Sequence, residues 1–91
     1  MSEAVLIDLQ TEIVFLTHEV NEIGKTIKHL DHEFEDTQSE ESRTFLFETI
    51  ELYKTRSEKL RILLEAYFAE ERNLGVPTDF LMRRLYKKIT A

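Results

Sequence analysis

Between Leu6 and Phe34, the residues Leu6, Leu9, Ile13, Leu16, Val20, Ile23, Ile27, Leu30 and Phe34 follow one another at spacings that alternate 3 and 4. That spacing averages close to one α-helical turn, so all nine side chains fall along one stripe of a helix. An apolar stripe held for more than four heptads commits the stretch to a long helix lying lengthwise against another helix. A strand, whose side chains alternate faces with a period of two, could not carry this pattern.

The flanking positions say which partner to expect. Branched residues at one set of stripe positions and Leu at the other would suit a parallel dimer. The neighbours of the stripe are Glu12, Glu19 and Glu33 on one side and Gln10, Thr17, Gly24 and Asp31 on the other. Two such helices side by side would find no cations to pair with, so a partner carrying bases is preferred. The chain supplies one. Residues 36–39 are polar, and Ser39 followed by Glu40 and Glu41 reads as an N-cap with an acidic first turn. A second stripe then runs through Leu46, Ile50, Tyr53, Ser57, Leu60, Leu64, Tyr67, Glu71 and Leu74. The short link predicts an antiparallel hairpin in which residue i lies opposite a residue numbered about 76 minus i. Glu19 and Glu22 then face Lys54, Arg56 and Lys59. Gly24 in mid-helix costs about 1 kcal/mol relative to Ala, tolerable as a weakness or useful for a close helix crossing.

Asn73-Leu74-Gly75-Val76-Pro77 is a stop signal: Gly suits a left-handed terminus and Pro cannot continue the helix. Thr78 is expected to cap a short third helix with Asp79 in its first turn. Phe80, Leu81, Leu85 and Ile89 would face inward, with Met82 and Tyr86 beside them. The expected fold is therefore all-α and a single domain spanning 1–91, with helices over about 3–35, 40–74 and 78–90, assembled into a helical-bundle oligomer.

Charge and composition exclude several functions. The net charge is −6 and unevenly spread: residues 1–36 sum to −7, residues 37–78 to −2 and residues 79–91 to +3. An acidic chain of this kind argues against general nucleic-acid binding. There is no cysteine, which removes disulfides, thiol nucleophiles and Cys-based zinc sites and fits a cytoplasmic setting. No secretion signal and no membrane span is expected.

More apolar residues are present than one hairpin can cover. Val5, Ile7, Val14 and Phe15 lie off the first stripe, and Phe45, Phe47 and Leu52 off the second. From Leu60 to Ala69 all but Arg61 and Glu65 are apolar, so Ile62, Leu63 and Phe68 also call for cover. These ten residues are expected to form an oligomer or partner interface.

Polar clusters are weaker signals. His29, His32, Glu33 and Asp36 have spacings that could hold a metal on a helix, but they occupy outward positions without a closed four-ligand set, so no metal and no cofactor is expected. Tyr53, Tyr67 and Tyr86 with Lys54 and Arg56 could line a pocket, although stripe tyrosines usually belong to the core. Arg83, Arg84, Lys87 and Lys88 form a basic face that could grip phosphates; cations near a helix C-terminus also complement its dipole.

The order long helix, second helix and GVPTDFLMRRLYKKI over residues 75–89 resembles the helical chorismate mutases, which implies a helical enzyme as one possible class. That family holds its substrate carboxylates with arginines on the long first helix, where this chain carries only Lys25 and Lys28. The reading of the residues themselves is a non-enzymatic interaction module: an adaptor, regulator or inhibitor that binds a protein partner by helix packing and an acidic surface. Its rival is an oligomer that sequesters a phosphate-bearing, nucleotide-like molecule at a subunit cleft.

Overall fold

In the computed structural model the chain forms three α-helices, α1 (Ser2–Glu33), α2 (Glu40–Leu74) and α3 (Phe80–Thr90). The structure describes residues 2–33 and 39–91, so the expectations for Phe34 and the link at 34–38 lie outside the described residues. No strand occurs among the described residues.

The two long helices form the expected antiparallel hairpin. Arg56 Nε stands 3.0 Å from Glu19 Oε1, and the ring of Tyr53 lies against Gly24, where a Cβ would stand 3.4 Å from its Cε2. Both pairs obey the register in which partners sum to about 76. Along α1, Ile13, Leu16, Val20 and Leu30 are buried, while Leu6, Leu9, Ile23 and Ile27 are half-buried. Along α2, Leu60, Leu64, Tyr67 and Glu71 are buried, and Tyr53 is the stripe member left exposed. Both apolar stripes thus face each other as their periodicity requires.

Cross-helix charge pairing is narrower than the sequence suggested. Glu19 reaches Arg56, as an ion pair without hydrogen-bond geometry. Glu22 instead takes Lys25 of its own helix at 3.3 Å, and Lys54 takes Glu51 at 3.7 Å. A partner one turn away on the same helix costs less side-chain ordering than one across the seam.

Ser39 caps α2 as expected, its hydroxyl accepting from the Ser42 N–H at 3.2 Å. At the other end Gly75 adopts φ 68° and ψ 26°. Its N–H donates to Arg72 O at 3.2 Å and the Val76 N–H donates to Glu71 O at 3.1 Å, which closes the helix in a Schellman turn.

The start of α3 differs from expectation in two ways. Asp79, not Thr78, is the N-cap: its Oδ1 accepts from Leu81 N at 2.9 Å and Met82 N at 3.3 Å. The apolar face is also rotated. Met82 is buried, and Leu85, Tyr86 and Ile89 pack against the core beside it. Phe80 and Leu81 point away and are 73% and 71% exposed. The residues 82, 85, 86 and 89 share one helical face; Phe80 falls on the opposite side of the helix and Leu81 at the edge of that face.

α3 runs back along the C-terminal half of α2. Its cover is one-sided. Phe68 is half-buried, its ring edge-on to Tyr67 (6.3 Å, 76°) and to Tyr86 (5.6 Å, 79°). Ile62, on the far side of α2, is 54% exposed, so the all-round cover expected between Leu60 and Ala69 is absent within this chain. The molecule is a rod of 54 × 20 × 14 Å.

Candidate functional site

Where the three helices meet, small or polar side chains replace the apolar ones that would fill the seam. Ser57 occupies an α2 stripe position, with Thr17 and Asn21 of α1 facing the same space. The result is a groove of about 460 Å³, walled also by Tyr53 and Lys54 of α2 and by Leu85, Lys88 and Ile89 of α3. A second hollow of about 430 Å³ continues from it past Gly24 and shares Val20, Asn21, Tyr53 and Lys88 with it. Lys25, Lys28 and His18 line this extension.

The charges along the groove are not equivalent. Arg61 is fastened within α2: its Nε donates to Glu58 Oε2 at 3.0 Å, and its two terminal nitrogens hold Glu58 and Glu65. The hydrogen bonds to Arg61 keep the Glu58 carboxyl below its usual range, and those to Glu58 raise the guanidinium further above an already high value. Lys25 and Lys54 each meet a carboxylate of their own helix. Among the described residues no ion pair involves Lys28 or Lys88.

Of the four basic residues singled out on α3, Lys88 lines the groove. Arg83, Arg84 and Lys87 are exposed and line neither hollow. The cations that join Lys88 are Lys54, which was named with Tyr53 as a pocket candidate, and Lys25 and Lys28, which no binding expectation included. The one available signal was the hairpin register, which sets Lys54 level with Glu22. The three tyrosines do not share a pocket: Tyr53 lines the groove, Tyr67 is buried, and Tyr86 packs on Phe68.

The second candidate is apolar surface. Of the residues expected at an interface, Val5, Ile7, Val14, Phe15, Phe45, Phe47, Leu52 and Ile62 are exposed, from 43% at Leu52 to 73% at Phe15. Leu63 and Phe68 are half-buried against the chain's own core. Phe80 and Leu81 add to this surface and were not foreseen there. Phe45 sits in an acidic setting, a hollow of about 470 Å³ lined with Glu40, Glu41, Thr44 and Glu48.

A third cluster surrounds the turn between α2 and α3. Glu71 is 3% exposed, and its Oε2 accepts from the Asp79 N–H at 2.7 Å. Burial raises the Tyr67 phenol above its usual value, and the carboxylates of Asp79 and Glu71 raise it further. These groups hold a turn in place and open to no cavity described above.

Among the described residues no group of three or more His, Cys, Asp or Glu could hold a metal ion. The side chains of His32, Glu33 and Asp36 lie outside the described residues. No helix among the described residues is long and apolar enough to cross a membrane.

Compared with family models, with curated proteins and with solved structures, the chain finds no match in any of the three.

Proposed function

We propose that the chain is a non-enzymatic protein–protein interaction module, an adaptor, regulator or inhibitor that works through helix packing and its acidic surface. The observation that carries this reading is the run of large apolar side chains left open along both long helices, with Phe15 and Phe47 exposed by 73% and 63%. Contiguous exposed apolar area beyond roughly 300–600 Å² marks interaction surfaces in monomeric proteins. The residues described here also offer no buried nucleophile paired with a base, which fits binding better than catalysis. A cytoplasmic setting fits the same reading.

The chemistry of the surface narrows the partner. The N-terminal half of α2 presents Phe45, Phe47 and Leu52 among Glu40, Glu41, Glu48 and Glu51. A complementary helix would carry apolar residues flanked by cations. The exposed face of α3 has that composition: Phe80 and Leu81 beside Arg83, Arg84 and Lys87. Homo-oligomerisation through α3 of one copy and α2 of another is therefore part of the proposal.

The test is absolute mass by light scattering after size exclusion, over a range of concentration and salt, followed by capture of protein partners. A dimer or larger species weakened by high salt and by Phe45→Ser supports the reading. A monomer at every concentration that captures no protein removes it.

A further inference from the structure

We propose that the groove between the three helices is a binding site for a small polyphosphate ester, a flat apolar body carrying two or more phosphate groups. This goes beyond the interaction surface above, since it concerns the inner groove of one chain rather than its outer apolar faces.

Four of the six lysines in the chain line this groove and the hollow that continues from it, and they come from all three helices: Lys54 of α2 and Lys88 of α3 in the groove, Lys25 and Lys28 of α1 in its extension. A solvated helix face would not gather cations from three separate elements in a chain of net charge −6. The two acidic side chains that also line it, Glu22 and Glu58, are engaged with Lys25 and Arg61 respectively. Lys28 and Lys88 have no such pairing among the described residues, so their ammonium groups are available to a ligand. Ammonium groups on flexible stems suit phosphate as point charges, whatever the orientation of the phosphate.

The rest of the groove is not anionic in preference. Val20, Leu60, Leu85 and Ile89 give it an apolar floor, and Tyr53 gives it a ring. Tyr53 is 38% exposed although it occupies a stripe position, because Gly24 opposite offers no side chain to cover it. The exposed part of this ring, beside cations, offers a planar ligand a stacking contact while the phosphates reach the lysines. The volume of about 460 Å³ lies within the usual range for small-molecule sites.

The experiment is calorimetric titration of the full chain with ATP and, separately, with inorganic tripolyphosphate, without divalent cations and at low and moderate salt. Saturable binding of both, weakening as salt rises, is expected. The double variant Lys28→Gln with Lys88→Gln should weaken both by about tenfold or more, since two charge-assisted contacts are lost. Tyr53→Ala should weaken ATP by about fivefold or more and leave tripolyphosphate unchanged. The control Arg83→Gln with Arg84→Gln should change either affinity by less than about twofold, because those cations lie outside the groove. Circular dichroism verifies that each variant keeps its helicity. No binding of ATP or tripolyphosphate up to about 1 mM overturns the proposal. So does an equal loss in the Arg83/Arg84 control, which would mean diffuse attraction rather than a site.

Discussion

The carboxylate of Glu71 accepts a 2.7 Å hydrogen bond from the backbone N–H of Asp79, eight residues further along the chain. It thereby joins the last turn of α2 to the residue that caps α3. The second oxygen of this 3% exposed side chain has no hydrogen-bond partner among the described residues. Glu71→Ala should cost about 1–3 kcal/mol, because the Asp79 N–H loses its acceptor in a part-buried place. Glu71→Gln keeps an acceptor oxygen and removes a buried charge, so it should cost less. Urea unfolding followed by circular dichroism measures both; equal losses would mean that charge, not the hydrogen bond, holds the turn.

Leu60 is 1% exposed at the centre of the facing stripes. Leu60→Ala should destabilise by about 2–5 kcal/mol through lost burial and a residual cavity. Leu60→Asp places a carboxylate in the buried seam among apolar side chains and should abolish the folded hairpin. Helicity at 222 nm reports on both, and an Asp variant that stays fully helical with unchanged mass would contradict the stripe assignment.

Gly24 is half-buried in the interior of α1, and a Cβ there would meet Tyr53 Cε2 at 3.4 Å, an ordinary van der Waals distance. Gly24→Ala should therefore stabilise the chain by up to about 1 kcal/mol, the helix-propensity difference. The denaturation midpoint should rise at unchanged slope. A fall would show that the ring of Tyr53 cannot yield even at that distance.

Burial first, then the carboxylates of Asp79 and Glu71, hold the Tyr67 phenol above its ordinary value in the folded chain. The unfolded chain releases that proton at about pH 10, before the folded one does. Stability from this site is thus fully present below about pH 10 and is lost as pH rises toward the folded value. Tyr67→Phe should flatten the fall in stability between neutral and strongly alkaline pH relative to the parent chain. An identical pH dependence in both would place the alkaline loss on other groups.

The hairpin was legible because it rests on periodicity, which the chain carries in one dimension. Ile13 to Leu30 and Leu60 to Glu71 face inward as their spacing demands, and the register that pairs Glu19 with Arg56 follows from the short link. The capping of α3 was not legible. Thr78 and Asp79 are both competent caps, and the choice accompanies a long-range bond from Glu71 that no local pattern encodes. Nor was the facing of α3 legible: Met82 is buried while Phe80 and Leu81 are exposed. The lysine groove was hidden for a related reason: Lys25, Lys54 and Lys88 are far apart in sequence and meet only after α3 folds back on α2.

α3 covers only one end of the 54 Å rod. At that end lie Ile13, Leu16, Val20, Leu60, Leu64, Tyr67 and Met82, whereas Leu30 is the one buried residue among those described in 21–31 and 39–59. Amides in the sparsely covered half should exchange with solvent through partial openings that leave the clamped half standing. The rod should therefore open from one end, like a zipper held shut at its base. A molecule seated on the breathing half would slow that exchange, and so report its arrival, without touching α3.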